Sequence, residues 1–132
     1  MSQENVERYR QGIDAFNRRD LDAFLPLADP RVIWVSRVLA VEGGAYEGHD
    51  GIREWWNGLF GVFPDFRIEI VRVRDAGNLT VSEVRNQAHG EGSAAPLDEK
   101  VWHVSEWHGG RVVQWQIYAT EHEALEAVGL SE

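Results

Sequence analysis

Between Asp50 and Ile70 the chain changes its hydrophobic period, and a proline marks the change. Up to Phe63 the apolar residues Ile52, Trp56, Leu59, Phe60 and Phe63 recur at the spacings of a helix with one buried face, which Asp50 can cap. Pro64 cannot continue that helix. From there Phe66, Ile68 and Ile70 alternate with Arg67, Glu69 and Val71, the period of a strand. The segment Tyr46 to Ile70 is thus a glycine-entered helix that runs straight into a strand. With Trp55, Trp56, Phe60 and Phe63 it holds more aromatic bulk than simple packing of a 132-residue domain requires, so it suggests the wall of a hydrophobic cavity.

The remaining elements read outward from this junction. Val6, Tyr9, Ile13 and Phe16 form one face of a first helix, with Ser2 available as its N-cap; Asp20 caps a short second helix ending at Asp29-Pro30. Arg31 to Val35 is β-branched and aromatic, a first strand, and Leu39 to Glu47 a loop or short irregular strand. Downstream, Asp75 to Asn78 turns and Leu79 to His89 is a strand. A Gly-rich loop, Gly90 to Glu99, follows. Lys100 to His108 and Arg111 to Ala119 flank Gly109-Gly110, a turn for a tight hairpin. Thr120 and Glu123 form a capping box for a last helix to about Val128. Three helices, an antiparallel sheet and a closing helix make an α+β domain, with helices gathered on one side of a curved sheet and residues 1–132 in one unit.

Several function classes drop out on composition. The 13 basic and 22 acidic residues give a net charge of -9, which repels phosphate backbones, so nucleic acid is not an expected partner. No stretch has the length and apolarity of a membrane span, and the polar N-terminus lacks an apolar leader core, so a cytoplasmic protein with no membrane partner is expected. Cysteine is absent, and the five histidines are scattered without metal-ligand spacing, so neither a metal nor another cofactor is implied.

Five short motifs carry a resemblance over essentially the whole chain. They are Asn17-Arg18-Arg19-Asp20-Leu21-Asp22-Ala23-Phe24, the Asp29-Pro30-x-Val32-x-Trp34 run, Tyr46-x-Gly48-x-x-Gly51-Ile52-Arg53, Phe63-Pro64-Asp65 and Gly110-Arg111-Val112-x-x-Trp115. In this order they resemble the SnoaL-like polyketide cyclase family of the nuclear-transport-factor-2-like superfamily. The resemblance implies a cone, its curved, mainly antiparallel sheet wrapped around three N-terminal helices with a short C-terminal helix. It also implies a homodimer, with Val104, Gln114, Gln116 and Tyr118 on the outer sheet face. Activity does not follow from the scaffold, which hosts isomerases, hydrolases, cyclases, dehydratases and non-catalytic binders.

The acids used by catalytic relatives are missing. Where steroid isomerases of the fold place a tyrosine, this chain has Gly12; Arg31 to Val41 contains no carboxylate for their aspartate base. The epoxide hydrolase aspartate after the last tryptophan corresponds to Ile117, and the Arg-x-Asp pair becomes Arg85-x-Gln87. The resemblance implies an inward face of Val101, His103, Ser105, Trp107, Val113, Trp115, Ile117 and Ala119, completed by Trp34, Ser36, Trp56, Phe60, Arg85, Gln87 and His89. Such apolar walls with a few polar points suit a small hydrophobic molecule.

His103 is the candidate acid–base residue, against the commoner role of a hydrogen-bonded structural histidine. Arg85 either polarises a ligand oxygen or, the favoured reading, pairs with Glu83 or another acid. Trp55, Trp102 and Trp107 are assigned to packing or a dimer contact ahead of ligand contact. The expectation is a binding domain for an apolar or aromatic ligand; the alternative is a cofactor-independent isomerase, hydrolase, dehydratase or cyclase using His103.

Overall fold

The computed structural model describes residues 2–35, 45–89 and 96–129. Helix α1 (Ser2–Asn17) is followed by α2 (Leu21–Phe24), a 3-10 turn (Leu25–Leu27), β1 (Ala28–Val35) and β2 (Ala45–Glu47). Then come α3 (Gly48–Val62), β3 (Arg67–Ala76), β4 (Leu79–Ala88), β5 (Leu97–His108), β6 (Arg111–Tyr118) and α4 (Glu121–Ala127). The strands form one curved sheet in the order β2-β1-β6-β5-β4-β3. The β1–β6 pair is parallel and the other pairs are antiparallel, which gives the α+β cone expected from the sequence.

The apolar stripe of α1 is buried as its spacing requires, with Val6, Tyr9, Ile13 and Phe16 all below 10% exposure. Beyond it, the Asn17 side chain accepts from the Ile68 N–H at 3.0 Å and donates to the Ile68 carbonyl at 2.8 Å. It therefore pairs edge strand β3 as another strand would. Arg19 stands at φ 62 and donates to the carbonyls of Pro64 and Phe66 at 3.0 and 2.7 Å, with its guanidinium 3.9 Å from the centroid of the Phe60 ring. The Asn17 to Asp20 break is a clamp that fixes α1 to the end of α3 and the start of β3.

Helix α3 begins earlier than Asp50. Gly48 has φ +68, and a Cβ there would stand 2.9 Å from the Pro30 carbonyl oxygen, so the chain enters the helix tight against β1. Asp50 lies in the first turn, bound to Arg53 at 2.8 Å, and makes no cap. The buried stripe is Ile52, Trp55, Trp56 and Leu59; Phe60 and Phe63 are only partly buried. The first strand also starts before Arg31: Asp29 and Pro30 lie within β1, where the Arg31 N–H donates to Asp29 Oδ1 and the register against β6 shifts.

Two features of the sheet depart from the alternation expected. A bulge at Glu106/Trp107 pairs Trp107 with Val112, so Val112 and not Val113 takes the inner position; it is 7% exposed. In β4, Thr80 and Ser82 lie opposite Ser105 and His103 and face inward, so Arg85, paired with Lys100, faces out. Helix α4 packs on that outer face, where Val81, Val104 and Ala124 form a second apolar cluster. The helices are thus not all on one side. Among the described residues no helix is long and apolar enough to cross a membrane.

Candidate functional site

A cavity of about 40 Å³ lies between α1, the Trp55 side of α3 and the concave face of the sheet. Its aromatic wall follows from register. Trp34 and Trp115 are partners across the parallel β1–β6 pair, and their rings stack at 4.1 Å with an interplanar angle of 16°. Trp55 closes over both at 5.2 and 5.8 Å, and His103 meets Trp115 edge-on at 4.8 Å.

A buried polar contact joins α1 to β5. The Tyr9 hydroxyl lies 2.8 Å from His103 Nδ1, with exposures of 5% and 1%. Burial opposes both charged forms: it raises the phenol above its ordinary value and pushes the imidazole down from 6.5 to about 3. Both groups are therefore neutral at physiological pH. The Tyr9 hydroxyl and His103 Nδ1 share this hydrogen bond, and Ser82 also hydrogen-bonds the phenol. Ser105, also 1% exposed, lines the cavity beside His103, and Arg8 lines it from the N-terminal part of α1. None of the described residues lining the cavity is acidic.

Of the residues expected at the site, Trp34, His103, Ser105 and Trp115 meet around this cavity. Ile117 is buried on the same sheet face without reaching the cavity wall. Trp56 packs against Phe16 and Phe24 at 5.3 and 5.1 Å without lining the cavity, and Trp55, assigned from the sequence to packing, takes the wall position expected for Trp56. Phe60 is capped by Arg19 away from the cavity. Arg85 makes a two-oxygen contact with Asp98 at 2.8 and 3.0 Å on the outer face, because β4 presents the opposite parity. Gln87 shares that parity, and His89 follows the strand end, its N–H bound to Asp65 at 2.7 Å. Ser36 lies outside the described residues.

Sequence reasoning missed Tyr9 and Arg8 as site residues. The available signal was Tyr9 itself, one helical turn before Gly12, the position where steroid isomerases of the fold carry their tyrosine. Gly12 also lines the cavity.

The fold and an aromatic cavity enclosed by a curved sheet define an α+β cone domain. The SnoaL-like domain family matches residues 6–115, and the chain belongs to it. Among solved structures it is similar to Bal32a, from a soil-derived mobile gene cassette, at 22% identity and TM-score 0.81, covering 96% of this chain and 97% of that one. It is similar to TerC, co-crystallised with polyporic acid, at 19% identity and TM-score 0.78 over 95% and 98% of the two chains. A third similar structure is a Catenulispora acidiphila protein of ketosteroid isomerase-like fold in complex with trimethylamine, at 17% identity and TM-score 0.75 over 95% and 94%. No curated protein sequence matches the chain.

Proposed function

We propose that this SnoaL-like domain binds a small hydrophobic molecule in the cavity between α1 and the sheet. The observation carrying the reading is a buried aromatic wall, Trp34, Trp55 and Trp115, around a cavity with polar groups at chosen points and no acid. The small molecules bound by TerC and the Catenulispora protein support it at the level of the fold. At about 40 Å³ the cavity has room for only a few atoms, so a ring-sized ligand enters by displacing lining side chains.

A second reading, a cofactor-independent enzyme with His103 as acid–base residue, is favoured by one observation. His103 lines the cavity and is oriented by Tyr9. Against it, burial makes His103 a weak base, and Arg85 lies too far outside to polarise a substrate. Binding therefore takes precedence over proton transfer.

Titration with neutral molecules of four to ten heavy atoms, followed by tryptophan emission and melting temperature, tests the binding reading. A saturable emission change with a raised melting temperature supports it; no response to any compound at millimolar concentration ends it. Should a bound compound also be turned over, His103→Ala decides between the readings. Lost turnover with retained affinity establishes the enzyme, and unchanged turnover removes the histidine mechanism.

A further inference from the structure

Three residues that line the cavity each carry a buried donor with no hydrogen-bond partner among the described residues: Nε1–H of Trp34, Nε1–H of Trp55 and the hydroxyl of Ser105. Their side chains are 5%, 3% and 1% exposed. Buried polar groups are nearly always paired, since an unpaired one gives up its hydration without return. Trp107 shows that this fold can pair a buried indole, for its Nε1 donates to Thr80 Oγ1 at 3.0 Å. The two indoles left unpaired are neighbours, with ring centroids 5.2 Å apart.

One more group shares this character. Arg8, which also lines the cavity, has a buried Nε–H without a partner, while its Nη2 is held by Glu4 at 3.1 Å. The unpaired side-chain groups of the wall can all donate, and no lining carboxylate competes to accept. A protonated amine would bring more donors, and a cation, to such a wall. An oxygen with lone pairs supplies the acceptor that such donors lack.

We propose that the cavity is a subsite for an acceptor oxygen, of a carbonyl or carboxylate group on a short apolar body, ligated by Trp34, Trp55 and Ser105. This rests on the binding reading and names the ligand class. The aromatic wall holds the body, and the donors fix the orientation of the oxygen.

The six indole Nε1–H groups of the uniformly 15N-labelled full chain serve as the readout, with Trp34→Phe and Trp55→Phe assigning the relevant signals. Acetone, acetate and isopropylamine are near-isosteric probes that differ in the group presented, and xenon is a probe without oxygen. Acetone or acetate is expected to move the Trp34 and Trp55 signals downfield saturably, leaving Trp102 on the outer face unmoved. Isopropylamine at the same concentration leaves them in place. Ser105→Ala, a small truncation in a strand, is expected to weaken binding about 3- to 10-fold.

A preference for acetate that disappears in Arg8→Gln supports the proposal with Arg8 engaged. A preference for acetone supports it with the neutral donors alone. Amine binding equal to that of the oxygen probes, or affinity unchanged in Ser105→Ala, overturns it. Xenon binding without any oxygen preference overturns the subsite and leaves the apolar pocket standing; no binding of any probe up to about 100 mM removes both.

Discussion

Tyr9 and His103 are 94 positions apart in the sequence, yet the hydroxyl of one lies 2.8 Å from Nδ1 of the other inside the cone. The contact couples α1 to β5, and its stability depends on both groups staying neutral. His103 carries a pKa of about 3 in the folded chain against an ordinary 6.5, lowered by burial. A group buried as its neutral base binds fewer protons when folded than when unfolded, so stability falls as pH falls through this window.

The expected outcome is a loss of about 1.4 kcal/mol per pH unit from this residue below pH ~6, levelling near pH ~3. Above the unfolded value the contribution is flat. In His103→Asn, which keeps an acceptor toward Tyr9, the slope should disappear. Urea denaturation of both proteins between pH 6.5 and 5 isolates the effect, because carboxylates are largely ionised throughout that range. Equal slopes in the two proteins would show that His103 is protonated in the folded chain.

Arg85 provides the opposite case. Its guanidinium pairs with Asp98 on the outer face, with side chains 42% and 57% exposed. Such exposed pairs contribute about 0–1 kcal/mol. Arg85→Ala is expected to leave affinity for any cavity ligand within about twofold and stability within about 1 kcal/mol. Calorimetric titration of the variant checks this, and a tenfold loss of affinity would place Arg85 in the site after all.

The difference between Arg85 and His103 shows where the sequence was legible. In strands β5 and β6 the inward face implied by the family resemblance holds at His103, Ser105 and Trp115, which all line the cavity. In strand β4 it fails, since that strand is buried on both faces: polar Thr80, Ser82 and Asn86 face in, while Val81 and Glu83 are covered from outside. Polarity therefore cannot choose its inner face, and a one-residue change of parity moves Arg85 and Gln87 out of the site. In α3 the adjacent Trp55 and Trp56 both fit the buried stripe; only packing against Trp34 and Trp115 separates wall from core. The Tyr9 contact was unreadable for another reason, as no local pattern links a helix residue to a strand so far along the chain.

Asn17 was legible as a break and not as a clamp. Its two bonds to the Ile68 backbone finish an edge strand that would otherwise present unpaired groups. Asn17→Ala is expected to cost about 2–3 kcal/mol. Chemical denaturation measures the loss, and hydrogen exchange at the Ile68 amide should accelerate beyond the global change. Exchange that follows global stability alone would deny the clamp its local role.

The outer face leads us to expect a homodimer. Helix α4 covers part of it over Val81 and Val104, while Gln114, Gln116 and Tyr118 line an adjoining surface groove with Leu79 and Val128. Sedimentation at micromolar concentration should give about twice the 15.0 kDa chain mass. Gln116→Glu, which places like charges against each other across a two-fold interface, should shift the species toward monomer. A stable monomer across the range would remove the dimer.

Two glycines of α3 make a matched test of how tightly the helix is held over the cavity. A Cβ at Gly51 would lie 2.9 Å from the backbone carbon of Tyr46, and backbone cannot swing aside as a side-chain tip can. A Cβ at Gly61 meets nothing within 4 Å. Gly61→Ala should therefore be neutral or stabilising by up to about 1 kcal/mol, since alanine has the higher helix propensity. Gly51→Ala should destabilise by about 1–3 kcal/mol because relief requires α3 to move off β2. Trp55 follows one turn later on the same helix, so that movement widens the cavity at its aromatic wall. The expected signature is red-shifted tryptophan emission and weaker ligand binding in Gly51→Ala, with neither change in Gly61→Ala. Equal behaviour of the two variants would mean that the approach of Tyr46 to Gly51 does not set the position of Trp55.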